Sequence, residues 1–92
     1  MLIETTEFRL AASADEAAFL AADRDVQADH NAHRGGFIRR TTARGEDGTW
    51  IVVTIWDSAA AADADAGRDA DAAFVSVIDG DSVRRRRWTT LD

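Results

Sequence analysis

The chain of 92 residues has no cysteine, no proline and no lysine. Without cysteine there is no disulfide framework, no thiol nucleophile and no cysteine-ligated zinc or iron–sulfur site. Without proline there is no proline kink and no X-Pro switch. No apolar run approaches the roughly 20 residues of a membrane-spanning helix. The opening Met1-Leu2-Ile3-Glu4 lacks the basic and apolar stretches of a signal peptide. The expectation is a cytoplasmic protein with no membrane partner. Large apolar residues are also scarce. Nineteen residues are alanine, and the big side chains are Phe8, Phe19, Phe37, Phe74, Trp50, Trp56, Trp88 and a set of Leu, Ile and Val. A chain this short buries only about 60–65% of its unfolded surface. With no disulfide or cysteine-bound metal to help, pairing into a homodimer is the expected supplement to the core.

What is present reads as a single domain over 1–92. Hydrophobic residues make up 46% and charged residues 30%, an ordinary globular balance. Residues 2–10 (LIETTEFRL) are rich in β-branched and aromatic types and predict a strand. Ser13 followed by Glu16 predicts a capping box and a helix from about Ala14 to about His30. Phe19, Ala22 and Val26, with Leu20 beside them, form the stripe expected to face a sheet. Residues 37–44 (FIRRTTAR) and 49–56 (TWIVVTIW) are two strands joined by Gly45-Glu46-Asp47-Gly48, a hairpin turn. Apolar residues fill both faces of 49–56, which predicts a central strand covered twice. Asp57-Ser58 caps a second helix to about Ala66, and Gly67 interrupts it. Residues 70–79 are a further helical piece with Phe74, Val77 and Ile78 on one side, ended by Gly80, and 82–91 (SVRRRRWTTL) is a last strand.

The order β-α-β-β-α-β is the ferredoxin-like pattern, an α+β fold. It predicts an antiparallel four-stranded sheet of order 4-1-3-2 with both helices on one face. If Ile51, Val53 and Ile55 face the helices, Trp50 and Trp56 point to the uncovered face, where a second copy of the sheet is the economical lid.

In this topology Val52-Val53-Thr54-Ile55-Trp56-Asp57-Ser58 closes the third strand and Gly36-Phe37 opens the second. On these features the chain resembles the dimeric α/β-barrel superfamily, and within it the antibiotic biosynthesis monooxygenase-like branch. The resemblance implies a face-to-face homodimer with an apolar pocket in each subunit. It also implies a choice of activities: oxidation of aromatic polyketides with no metal or organic cofactor, haem degradation, or none. Haem-degrading members use a histidine in the second helical region as axial ligand, and 58–79 has none. Where the family commonly has glutamate two residues before the tryptophan, Thr54 stands here.

Several residues suggest chemistry. Trp50, Thr54, Trp56 and Trp88 are candidates for binding a planar substrate, the tryptophans doubling as interface packing. His30 and His33 end the first helix. They read either as exposed groups suited to a helix C-terminus or, with His30 or Asn31 at a pocket mouth, as groups that position or deprotonate a phenol. A third metal ligand is missing from that pair, so no metal site is expected. Arg86 is the candidate for stabilising oxyanion charge. Arg84-Arg85-Arg86-Arg87 alternate across a strand, and the chain is acidic, so no nucleic-acid partner is expected. Glu4 and Glu7 lie on opposite faces of the first strand, and one of them should meet an arginine of the last strand.

Two functions fit. One is a small-molecule-binding barrel, with cofactor-free monooxygenation of an aromatic or polyketide-like substrate as the activity the resemblance implies. The other is a non-catalytic dimeric barrel, stress-responsive or accessory, in which the same residues are core. A polar-lined cavity favours the first, and an interior filled by tryptophan favours the second. The charge is segregated. Residues 11–33 hold five acids and one arginine, and 57–81 hold seven acids and one arginine. Residues 34–44 and 82–92 hold eight of the eleven arginines. The helices should therefore be acidic and the edge strands basic.

Overall fold

Trp50–Trp56 forms the strand that organises the molecule, because Val, Ile and Trp pack well on a pleated surface. The computed structural model describes residues 1–33, 35–65 and 72–91, and the side chains of all these except 31–33 and 72. Its elements are β1 (Leu2–Phe8), α1 (Glu16–His33), β2 (Phe37–Arg44), β3 (Trp50–Trp56), α2 (Ala59–Asp65), α3 (Ala72–Ser76) and β4 (Arg84–Thr89). The strands make one antiparallel sheet of order β2-β3-β1-β4. This is the order the ferredoxin-like pattern predicts, with β3 inside the sheet.

Local chemistry sets the boundaries. The α1 cap lies two residues later than the capping-box reading places it. Asp15, rather than Ser13, accepts the Ala17 N–H at 3.0 Å, and its carbonyl accepts the Phe19 N–H. Ser58 caps α2 by accepting the Ala61 N–H at 3.1 Å. The β2–β3 turn closes through Gly45 N–H to the Thr49 carbonyl, with Gly48 at φ +83° and the Asp47 carboxylate accepting the Thr49 N–H. Those Thr49 hydrogen bonds hold the Asp47 carboxyl below its ordinary value. A short 3-10 turn at Gly80–Ser82, rather than a plain helix end, leads into β4. The expected break at Gly67 and the start of the third helical piece near residue 70 lie outside the described residues. Among the described residues, no helix is long and apolar enough to cross a membrane.

The helices cover one face of the sheet. On that face Phe8, Phe19, Trp50 and Val52 form one buried cluster, joined by Leu10, Phe74, Val77, Ile78 and Val83. Leu2, Trp56 and Ala62 form a second, joined by Phe37 and Ala61. The sequence expectation for the sheet faces is reversed: Trp50 and Trp56 face the helices, and Ile51, Val53 and Ile55 face the other way. The α1 stripe explains the reversal. Its buried residues are Phe19, Ala22, Val26 and His30, and the outer two are rings that pack on the indoles, Phe19 on Trp50 and His30 on Trp56. Leu20, expected beside that stripe, is instead exposed.

Candidate functional site

The two apolar clusters lie at opposite ends of the covered face, and the space between them is polar. Register explains this. Arg40 on β2 pairs with Thr54 on β3, Thr54 with Glu4 on β1, and Glu4 with Arg87 on β4. A row of three charged residues and a hydroxyl therefore crosses all four strands on the helix side. Arg40 reaches this face because of a bulge. Between Phe37 and Arg39, β2 advances two residues while β3 advances one, so Phe37 and Arg40 share a face despite opposite parity. Ile38, the extra residue, is exposed.

The helices supply counter-charges. Asp23 of α1 accepts from Arg40 Nη2 at 2.7 Å and from the Thr42 hydroxyl at 2.8 Å, and Arg40 Nη1 lies 3.3 Å from that hydroxyl. The Arg40 side chain is almost fully buried, so its charge depends on this pairing. Arg87 donates from Nε to Glu4 at 3.0 Å and from Nη1 to Asp63 of α2 at 2.7 Å. The Asp63 and Glu4 hydrogen bonds raise the guanidinium's affinity for its proton above the ordinary value. Of the two glutamates on β1, Glu4 is the one that meets a β4 arginine on the covered face, while Glu7 is exposed.

Beside this row, at the Trp56 end, sits an aromatic corner. His30, Phe37 and Trp56 have ring centroids 5.1–5.9 Å apart. His30 Nδ1 lies 2.9 Å from the Val26 carbonyl, and since a carbonyl only accepts, Nδ1 carries the proton there. Nε2 then faces Asp65 of α2, 3.7 Å away. The Trp56 side chain is 1% exposed, and its indole N–H has no hydrogen-bond partner among the described residues. A buried unmade hydrogen bond costs about 1–3 kcal/mol, which makes this donor a place where an acceptor on a ligand would be stabilising.

The structure brings some predicted residues together and separates others. His30, Thr54 and Trp56 share the covered face, with His30 buried rather than exposed at the helix end. Trp50 shares that face but belongs to the other cluster, packed on Phe19 with ring centroids 4.7 Å apart. Arg86 and Trp88 lie on the opposite face, the guanidinium 4.1 Å from the Trp88 ring centre and Trp88 43% exposed. Arg86 therefore cannot act on a molecule held by His30 and Trp56 of the same chain. Asn31 follows His30 on α1, and its side chain lies outside the described residues. Arg40, Asp23, Asp63 and Asp65 were not singled out by sequence reasoning. The β2 bulge hid Arg40, and the aspartates are three of thirteen in the chain with no motif around them.

No sequence-family model matches the chain, and no curated protein matches it in sequence. Solved structures do. A candidate antibiotic biosynthesis monooxygenase from Caulobacter crescentus aligns with TM-score 0.83 and 18% identity, covering 99% of this chain and 90% of that one. Another from Nitrosomonas europaea aligns with TM-score 0.79 and 12% identity over 100% of both chains. The chain thus has the fold of the antibiotic biosynthesis monooxygenase-like structures, the branch its sequence resembles. Among these is SnoaB of Streptomyces nogalater, a cofactor-independent oxygenase, with TM-score 0.78 and 15% identity over 99% of this chain and 93% of that one.

Proposed function

We propose that this protein binds a small planar aromatic molecule at the Trp56 corner and oxidises it with dioxygen, using neither metal nor organic cofactor. The observation that carries this reading is the buried indole N–H of Trp56, without a partner among the described residues, on a ring that packs against His30. In this scheme the N–H donates to a carbonyl or phenolate oxygen of the substrate. His30, its Nδ1 committed to Val26, exchanges a proton at Nε2, and Asp65 is the counter-ion for the charge the ring gains. The substrate is its own reductant. A ring carbon bearing two hydrogens becomes a carbonyl with one oxygen atom of dioxygen, and the other atom leaves with those hydrogens as water. SnoaB, which has the same fold, is a cofactor-independent oxygenase.

The proposed assembly is a homodimer. Ile3, Ile51, Val53, Ile55 and Trp88 form an apolar band on the face that the described helices leave open, and a second copy of this sheet is the occupant that covers it. This seam also gives Arg86 a place outside the His30 site. Sedimentation showing only monomer at micromolar concentration overturns this part.

The functional test is a thermal-shift screen of quinols, flavonoid-like phenols and haem, followed by oxygen uptake with any binder. A ligand at ten times its Kd stabilises by about 1.4 kcal/mol, which raises the Tm of a domain this size by roughly 6–11 °C. Quinols or phenols are expected to give that shift with the native chain and lose it in Trp56→Phe. A blank across all three classes overturns the reading in favour of a non-catalytic barrel. The apolar packing of Trp50 with its neighbours is the observation that favours that rival.

A further inference from the structure

The Trp56 N–H is buried, so a molecule can reach it only if something covering it moves. Three elements cover that corner: α1 through His30, β2 through Phe37, and α2 through Ala62. They are not equally held. The α1 helix has 18 residues and reaches both clusters, through Phe19 at one end and His30 at the other. The β2 strand is hydrogen-bonded to β3 along its length. The α2 helix has seven residues and one buried side chain, the methyl group of Ala62.

The attachments of α2 differ between its two ends. At its start the chain is fixed tightly. Asp57 N–H donates to the Gly36 carbonyl at 2.8 Å, Ser58 caps the helix, and Ala61 lies so close to Gly36 that a Cβ there would sit 2.5 Å from it. Toward its end, polar side chains make the contacts. Asp63 bonds Arg87 of β4, and Asp65 faces His30 of α1. Both contacts run from α2 to the layers beneath it: Asp65 and His30 meet in the interior, while Asp63 and Arg87 pair at the surface. The Arg87 and Asp63 side chains are 42% and 66% exposed. Surface pairs of this kind contribute about 0.2–1 kcal/mol and weaken with salt.

We propose that α2 is a lid over the Trp56 corner, hinged at Gly36 and Asp57–Ser58 and latched by Asp63–Arg87, with Asp65–His30 as the inner contact. Among the described contacts, opening breaks the Asp63–Arg87 ion pair, parts Asp65 from His30 and lifts the methyl groups of Ala61 and Ala62 from the Trp56 cluster. It leaves the sheet, α1 and the Trp50 cluster in place. Lids drawn from the least stable part of a fold open far more often than the whole chain unfolds. The proposal rests on the Trp56 corner being the site, and it adds how a ligand enters.

The indole proton is its own reporter, so the test needs no ligand. Its exchange with deuterated water is followed by NMR in the full chain, beside the β3 backbone amides. The Trp56 indole proton is expected to exchange faster than the β3 amides in the wild type. Asp63→Asn is expected to speed that exchange about two- to fivefold with the β3 amides unchanged, and Asp63→Glu to return it close to wild type. Raising the salt concentration should speed exchange in the wild type and much less in Asp63→Asn. Two results overturn the lid: an indole rate unaffected by Asp63→Asn at low salt, or an indole rate that follows the β3 amides in every variant. If the lid result holds and the ligand screen is blank, the proposed activity fails alone. If ligands bind and the indole rate ignores Asp63, the lid fails alone.

Discussion

Trp50 and Trp56 sit six residues apart on one face of one strand, and their surroundings differ. Trp50 is enclosed by large rings. Phe8, Phe19 and Phe74 lie mutually 5.4–5.7 Å apart in tilted or edge-on contact, and Trp50 packs on Phe19. Offset and edge-on rings satisfy the aromatic quadrupoles, and the Trp50 N–H, unlike that of Trp56, is not a buried donor lacking a partner. Trp56 is covered instead by a histidine, a phenylalanine and two alanines. Its neighbours carry charge, and its own donor has no acceptor among the described residues. One residue type thus serves two purposes according to its neighbours. The Trp50 end holds the fold together, and the Trp56 end is where the fold gives up some stability to keep a donor unsatisfied.

The sharpest way to break the contrast is to empty the Trp50 end. Phe19 is fully buried and touches Phe8, Phe74 and Trp50. Phe19→Ala is expected to cost about 3–5 kcal/mol, a third or more of the stability typical of a small domain. Urea denaturation followed by circular dichroism measures it. A loss below about 1 kcal/mol would show that the aromatic cluster is not the main core.

The next largest effect is expected at the hinge. Gly36 has φ +78°, which costs a residue with a Cβ about 1–2 kcal/mol. An added Cβ would also lie 2.5 Å from that of Ala61 and 2.7 Å from Asp57 Oδ1. Gly36→Ala is therefore expected to cost roughly 2–4 kcal/mol in the same denaturation assay. Part of that cost would show as displacement of α2, seen as shifted amide signals at Ala61 and Ala62 with the Trp50 end unmoved.

This contrast also marks how far the sequence could be read. The strands, the helix stripe of Phe19, Ala22 and Val26, and the turn at Asp47-Gly48 follow from periodicity and turn chemistry, and the sheet order follows from the β-α-β-β-α-β pattern. Which face of β3 meets the helices does not follow, because Val and Ile fill one side and Trp, Val and Thr the other, and either set can be buried. That choice shows in α1, whose Phe19 packs on Trp50 and whose His30 packs on Trp56. The polar row escaped for a related reason. A single extra residue at Ile38 turns Arg40 inward, and alternation rules carry no warning of a bulge. That one β1 glutamate meets a β4 arginine was legible, since a carboxylate on a covered face needs a cation and β4 is mostly arginine, but that it is Glu4 rather than Glu7 was not. The separation of Arg86 from His30 was legible only once the facing of β3 was known.

The smallest expected effect is the most informative, because it compares the two tryptophans by the same substitution. Trp50→Phe removes ring volume from a well-packed cluster and is expected to cost about 1–2 kcal/mol for the cavity and lost contacts. Trp56→Phe removes similar volume but also removes the buried orphan donor, and relief of that donor is worth about 1–3 kcal/mol. The two terms oppose, so Trp56→Phe is expected to change stability by less than about 1 kcal/mol in either direction. Denaturation midpoints of the two variants, measured side by side, test the sign of the difference. If Trp56→Phe costs as much as Trp50→Phe, the Trp56 indole is satisfied in solution, and both ends of the interior are core. If it costs little or stabilises the chain, the donor is held unsatisfied at the protein's own expense, as expected of a group kept for a ligand.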